Sequence, residues 1–581
     1  MNYQALCMRL IDVKKPVTVF TAQKVITMNP EQPEAESVAV QNGVIVGVGD
    51  TETIRSLLNV HRIEAQFNST FEESYIYAGF AEHHMHPHIL GAYLKDSHYV
   101  GYVDRKAADG SVMKGIQSVE QLTEHLKVLI EKDRVRLESD SEQWLNCWGF
   151  DPLLLAGADV TRNVLDEVSK EFPICLGHAS GHVININSVA IELCGYENME
   201  EDPNLFRYES GQVNGTVAEP ELMQFAFSKG ASRMDFSEEG IIEAGELATK
   251  VARINGCTSV TDKGTNFPLT PGNVAAEGWL NAQAQGRLHT RVNMEPWFSS
   301  IDRWVYGDKH GWEAVHAIRD EKNPYLSVGN FKMLTDGSIQ GFTAHLLPDQ
   351  NYVTEGKPNG HLLMSKDKLI EQISIGEAHG MSCSIHTNGN GATEVAIQAI
   401  EEIRKTKPNL GFRHSLEHCQ LATENQFYRM KQVGITPNLF TNHLYYWGDV
   451  HAKYTVGEHG VRRMDACRSA TNYGLMHGVH SDDMVTEVSP LFSAWCAVNR
   501  RSLSGVVYGE DQCLTVAEAM RVITYNHAWL AHQEDVRGSI EVGKWADFTV
   551  LAEEATEKKR ETLKDIRIVG TVIGGDDIFL N

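Results

Sequence analysis

The sequence has no CxxC among its ten cysteines, which stand at 7, 147, 175, 194, 257, 383, 419, 467, 496 and 513. Without such pairs they read as reduced, mostly buried thiols of an intracellular protein. No run approaches the ~18 apolar residues that a membrane span needs, which excludes a spanning helix. The first twenty residues, MNYQALCMRLIDVKKPVTVF, lack a long apolar core and a small-residue cleavage site, so no secretory signal is read and a cytoplasmic location is expected. Basic residues are scarce: Lys plus Arg is 52 against 77 Asp plus Glu, a formal charge of −25. That balance disfavours a nucleic-acid binder, whose phosphate contacts need clustered cations. GxSxG, GxGxxG at a strand–helix junction, GxxxxGK[ST] and HExxH are all missing, which leaves the chemistries those motifs serve without support. Low-complexity tracts and short repeats are missing too.

What is present is an ordinary globular composition, 42% hydrophobic and 22% charged, over 581 residues. At about 100–200 residues per domain, that length holds three or four domains, or two and an insertion. Histidine is plentiful at 25, a first hint of metal or acid–base chemistry. Both chain ends read as strands. Residues 17–28 and 37–49 are rich in Val, Ile and Thr, with Asn42-Gly43 as a hairpin signal, and residues 538–551 and 566–573 match them. Between the ends, helical stretches such as 118–132 and 367–379 alternate with short apolar runs that end in polar residues, as βα units do.

The strongest local signal is AGFAEHHMHPH at 78–88. Residues i and i+2 of a strand share a face, so His84 and His86 at a strand end can offer one metal two imidazoles. A histidine-rich loop beside Pro87 is the alternative. Four later apolar segments also end in functional residue types: Lys332 in VGNFKMLTD, His386 in MSCSIHTN, His418 in FRHSLEH and Asp482 in GVHSDD. From His86 onward the gaps are 246, 54, 32 and 64 residues. A (β/α)8 barrel of about 250 residues averages about 31 per unit. His84 and His86 then end strand 1, Lys332 strand 4, His386 strand 5, His418 strand 6 and Asp482 strand 8. The long first gap implies an insertion over the site, near residues 92–240. The expected architecture is α/β: a distorted (β/α)8 TIM-type barrel at 78–533 carrying that insertion, plus a small β-sandwich domain from residues 1–77 and 534–581.

These segments resemble the amidohydrolase superfamily, in particular its family 3, the N-substituted formamide deformylase-like branch. AGFAEHHMH at 78–86 is similar to that family's PGFxDxHxH, with Ala for Pro and Glu for Asp. FKMLTDGSIQGFTA resembles its KxxxDG…TA segment, SIHTNGNGA its AIHAxGDxA (Asn390 for Asp), RHSLEHCQ its RIEHxQ, and GVHSDDM its GSD. RGSIEVGKWADF at 537–548 resembles the GSIxxGxxAD ending. The resemblance implies that His84, His86 and Asp482 hold one divalent metal and His386 and His418 a second. Lys332, carbamylated by carbon dioxide, bridges the two. Zinc suits these ligands, and so do manganese and iron. Asp482 then moves the proton from attacking water to a leaving amine. Alternatively, Lys332 is an ordinary buried or salt-bridged lysine beside one metal, and His418 polarises the carbonyl. Asp483 stands as an alternative to Asp482. His83 and His88 read as second-layer or loop residues, Glu82 as a support for a ligand histidine or a helix-facing charge, and Asp262 as a support.

The insertion carries Trp144, Trp148, His178, His182 and Glu219, in segments similar to the same family. His182 is a substrate candidate, with a satisfied buried histidine as the alternative. Trp148, His345 and His443 are weaker substrate candidates; the His443–Trp447 stretch either walls a pocket or seals a helix. The expected activity is hydrolysis of an amide, formamide or cyclic amide in a small-molecule substrate, by a homodimer. Ester or lactone hydrolysis, a non-hydrolytic reaction, and a non-catalytic binding protein are the competing readings.

Overall fold

The computed structural model describes residues 15–139, 143–155, 160–232, 234–268 and 270–581. Cys7 lies outside them; the other nine cysteines are free thiols, eight of them buried.

The chain ends combine in a single seven-stranded sheet, ordered Asp577–Leu580, Ile568–Ile573, Phe548–Leu551, Ala65–Ala78, Val17–Ile26, Glu34–Gln41 and Val44–Gly49. Asn42 (φ 52°) and Gly43 (φ 79°) make the tight turn between the last two, as the Asn–Gly pair predicts. The expected sandwich is one sheet because its two buried faces find different covers. On one face Val17, Val19, Ala39 and Val46 pack under Ile54 and Leu58 of the helix Thr51–Val60. On the other, Phe20, Phe71 and Phe548 gather, with Phe20 about 6 Å from each of its partners: 6.1 Å from Phe71 and 6.0 Å from Phe548.

The middle of the chain forms two parallel arcs. The first holds Phe80–Met85, Cys257–Thr265, Arg291–Pro296 and Leu326–Val328. The second holds Phe331–Leu334, Cys383–Thr387, His414–His418, Ile435–Leu439 and Gly478–Val479. Bridge pairs meet at both seams, Trp297 with Lys332 and Met85 with Asp483. At the second seam His86 N donates to Asp483 O (2.6 Å) and Asp482 N to His84 O (3.1 Å). Helices such as Lys366–Ala378 and Asn390–Arg404 connect the strands of the second arc. Their buried faces, with Leu369, Ile373, Ile397 and Ile400, join the main core.

Between Phe80–Met85 and Cys257–Thr265 the chain builds a separate six-stranded sheet, from His98–Tyr99 to Val213–Ala218. The helix Val119–Ser139 covers one side through Leu122, Leu126 and Leu129. The chain leaves along the helix Pro87–Asp96 and returns along Glu238–Ile254. These helices touch where Gly91 faces Ala244; a Cβ on Gly91 would collide with the Ala244 carbonyl.

The terminal sheet is locked to the first arc by a buried fork. Arg291 Nε and Nη2 donate to the two oxygens of Asp547 at 2.6 and 2.8 Å. Asp547→Ala strands the guanidinium in a buried setting, a loss of about 3–5 kcal/mol. Urea unfolding checks this; a change under about 1 kcal/mol would show the fork to be marginal.

Candidate metal centre

Of the six residues singled out as ligands, His84, His86, His386, His418 and Asp482 stand in the last two positions of a parallel strand or just beyond it, whereas Lys332 is the second residue of Phe331–Leu334; all six line one cavity of about 370 Å³. His84 Nε2 and His86 Nε2 both lie 3.3 Å from Asp482 Oδ1, and His418 Nδ1 lies 3.8 Å from Oδ2. The rings of His386 and His418 are 4.5 Å apart. His418 (φ 67°) and Asp482 (φ 52°) have left-handed backbones, which for residues with a Cβ cost energy and gather at functional sites.

The donor set fits a cation. His84 Nε2, His386 Nδ1, His418 Nδ1, Asp482 Oδ1 and Lys332 Nζ are buried with no hydrogen-bond partner. Unpaired buried polar atoms are costly, and a shared cation relieves the three imidazoles and the carboxylate at once. Burial holds His84 and His418 well below the usual imidazole range, so they stay neutral and keep lone pairs to donate. Asp482 stays ionised: burial pushes its carboxyl up, but the hydrogen bond from His86 and the Lys332 ammonium help to outweigh this and the net shift is down. Burial pushes the Lys332 ammonium down to about 8; Glu417 opposes that and Lys263 adds to it.

A buried polar network beneath the ligands orients them. His84 Nδ1 pairs with Glu417 Oε2 at 2.6 Å, which turns Nε2 toward Asp482. Asn438 donates to the same oxygen (2.8 Å), and Lys263 reaches Glu417 Oε1 (3.2 Å) and Glu295 (2.8 Å). Lys263 holds the Glu417 carboxyl far below the carboxylate range, against the pull of burial. Glu82 supports its neighbours through the backbone: it accepts from His84 N (2.9 Å), Ser481 N (3.1 Å) and Ser481 Oγ (2.7 Å). Burial pushes Glu82 up to about 8.

Asp483 is committed elsewhere. It is ion-paired to buried Arg105 of the insertion and accepts from Val488 N at 2.8 Å. This leaves Asp482 as the carboxylate that faces the histidines.

Three contributors escaped the sequence reading. His480 stacks on His84 (4.5 Å) and Phe440 (4.7 Å), with both ring nitrogens buried and unpartnered. His84, His418 and His480 form a second cation-sized group beside His84, His86 and Asp482. The signal was available: His480 and Asp482 are an i, i+2 pair, like His84 and His86. Glu417 adjoins His418 in sequence and Lys263 adjoins Asp262. Only the cross-strand neighbours reveal what these two do.

The weaker candidates separate. His182 lines the cavity. Trp148 does not; it is buried between Tyr93 (5.5 Å) and Tyr99 (5.0 Å), under the Arg105 guanidinium. His443 faces His451, with its Nδ1 3.0 Å from His451 Nε2, and Trp447 donates to Asp151 (2.6 Å), so that aromatic stretch seals its helix. His345 acts through its backbone: its carbonyl accepts from Gly391 N (2.9 Å) at the start of a helix. His83 meets Thr261 (3.1 Å), and Asp262 holds Trp279 (2.9 Å) beside His88.

Known proteins share the sequence pattern and the fold. The putative amidohydrolase YtcJ of Bacillus subtilis is 24% identical over 566 residues, covering 96% of this chain and 98% of its own. The N-substituted formamide deformylase of Arthrobacter pascens is 25% identical over 422 residues, 71% of this chain and 75% of its own. The crystal structure of an uncharacterized metal-dependent hydrolase from Pyrococcus horikoshii shares the fold, with a TM-score of 0.68 at 19% identity over 93% of this chain and 98% of that one. The amidohydrolase family model matches residues 72–579, and the chain belongs to that family.

Proposed function

We propose that this protein is a metal-dependent amidohydrolase that cleaves a C–N bond in an amide, formamide or cyclic amide. The observation that carries the reading is the set of unpartnered buried polar atoms on His84, Lys332, His386, His418 and Asp482, with His86 beside them, around one cavity. The names of the Bacillus and Arthrobacter relatives support the bond type. The two seam pairs support a closed (β/α)8 barrel at 78–533, with the lid near 92–240 and a terminal domain from both chain ends.

In this reading His84, His86 and Asp482 would hold one divalent metal and His386 and His418 a second, with Lys332, once carbamylated, as a further anionic ligand. His480 stands close enough to His84 and His418 to share in the holding. When bound, the metal polarises the carbonyl and makes water acidic enough to attack near neutral pH. Glu417 fixes the His84 tautomer, so that Nε2 is the free nitrogen. Asp482 takes the proton from the attacking water and passes it to the leaving nitrogen.

Elemental analysis of protein purified without chelator, paired with a panel of matched amides, esters and lactones, tests this. Near-stoichiometric metal that is lost in His84→Ala, with amide hydrolysis lost in parallel, is the expected result. A His84→Ala variant that keeps both metal and turnover would sink the assignment.

A further inference from the structure

The lid turns one polar device toward the metal centre. His182 Nδ1 lies 3.3 Å from Glu219 Oε2, and the two backbones are tied by Glu219 N donating to His182 O at 2.9 Å. That tie leaves Nε2 as the free nitrogen of a ring that lines the cavity. Glu219 has φ 62° and ψ 145°, a conformation almost confined to glycine that costs about 1–3 kcal/mol where a side chain is present. The fold holds a strained glutamate where its carboxylate meets His182. The carboxylate keeps this imidazole raised above its usual range, although burial alone lowers it.

The surrounding wall is apolar: Phe227, Phe236, Phe267, Trp297, Leu363 and Val485. Among the described residues no arginine lines the cavity, and its one lysine is Lys332. A substrate carboxylate would therefore find no unpaired cation on the lid side. It would instead face Glu219, because the His182 charge is already balanced by that carboxylate. A neutral acceptor meets no such penalty.

We propose that His182 Nε2 donates to the carbonyl oxygen of an uncharged amide bearing a bulky apolar group, with Glu219 as its positioning residue. This rests on the amide-hydrolase reading and deepens it: acidic amides such as N-acyl amino acids are excluded by charge, and apolar amides are selected by the wall. His182 supplies a hydrogen bond from the insertion within the cavity that the metal ligands share, which helps to orient the carbonyl.

The test pairs N-phenethylacetamide and N-phenethylformamide with their ring para-carboxylates, using the metal-loaded enzyme. The neutral member is expected to win by about 100-fold in kcat/KM, since an unpaired charge in such a wall is expensive. His182→Gln is expected to lose about 100-fold in kcat with metal content unchanged. Glu219→Gln keeps an acceptor for Nδ1 but removes the repelling charge, so it is expected to shrink the neutral-to-acid preference about tenfold, which a merely structural glutamate would not do. Calorimetric binding of N-phenethylmethanesulfonamide and its para-carboxylate gives a readout independent of turnover. If the wild type prefers the neutral sulfonamide and His182→Gln weakens its binding about tenfold, the inference stands even where amide turnover fails. An equal or better fit for the carboxylate, or a His182→Gln variant with wild-type binding and kcat, overturns it while leaving the metal-hydrolase reading intact.

Discussion

Asp482→Asn is expected to lower kcat/KM for the amide substrate by at least about 10³-fold, since it removes proton transfer and an anionic metal ligand together. The substitution is nearly isosteric, and the backbone bond from residue 482 N to His84 O remains. The fold should therefore persist. Oδ1 lies between His84 and His86, so the amide that replaces it turns either a neutral oxygen or an N–H toward the metal position. Metal content should fall as well. Two measurements separate the losses: elemental analysis, and kcat at saturating added metal. If excess zinc restores occupancy but not kcat, proton transfer is the missing function. Full restoration of kcat would assign Asp482 to metal holding alone. Asp483→Asn provides the contrast. It releases Arg105, so it should weaken the lid-to-barrel contact and stability while leaving the order of substrate preference unchanged.

The convergence of these side chains on one cavity was legible because two regularities coincide. A parallel strand with a connecting helix has a characteristic length, and catalytic groups gather where such strands end. His386, His418 and Asp482 obey both, so their spacing, together with the family resemblance, placed them together. The residues that support them obey neither. Glu417 points beneath His84, yet these two are 333 positions apart, and nothing in either strand's pattern pairs them. Lys263 sits in a nine-residue strand buried along its whole length, where period two cannot separate inward from outward residues. The terminal domain shows the same limit. Val, Ile and Thr in residues 17–49 announced strands, but only tertiary structure put the helix Thr51–Val60 on one face of their sheet. Trp148, His345 and His443 were chosen by residue type. The cavity wall is set by loop geometry, and it drew on Phe236, Trp297 and Leu363 instead.

The sharpest division between the mononuclear and binuclear forms of this site concerns Lys332. Its Nζ is buried without a partner, and burial lowers its pKa to about 8, so an appreciable fraction is neutral amine near neutral pH. A neutral amine can form an N–C bond with carbon dioxide and lose a proton, which turns an unsatisfied cation into an anionic ligand. The two alternatives predict opposite signs for Lys332→Met. If Lys332 is an ordinary lysine, Met of similar length removes an unpaired buried charge, and the protein should be as stable or more so, with metal content unchanged. If it is a carbamate bridge, the substitution should drop the metal content from about two toward one per chain and lower kcat by about 10²–10³-fold. It should also lower the melting temperature, because ligand-linked stability of RT ln(1 + [L]/Kd) is lost at one site. Growth or reconstitution in ¹³C-bicarbonate adds a direct readout: a carbamate carbon signal in the wild type that is missing from Lys332→Met. A stabilised Lys332→Met protein with full metal content and no such signal in the wild type would return the lysine to a structural role. The carbonyl would then be polarised by a single metal together with His418, whose Nδ1 is free to face it.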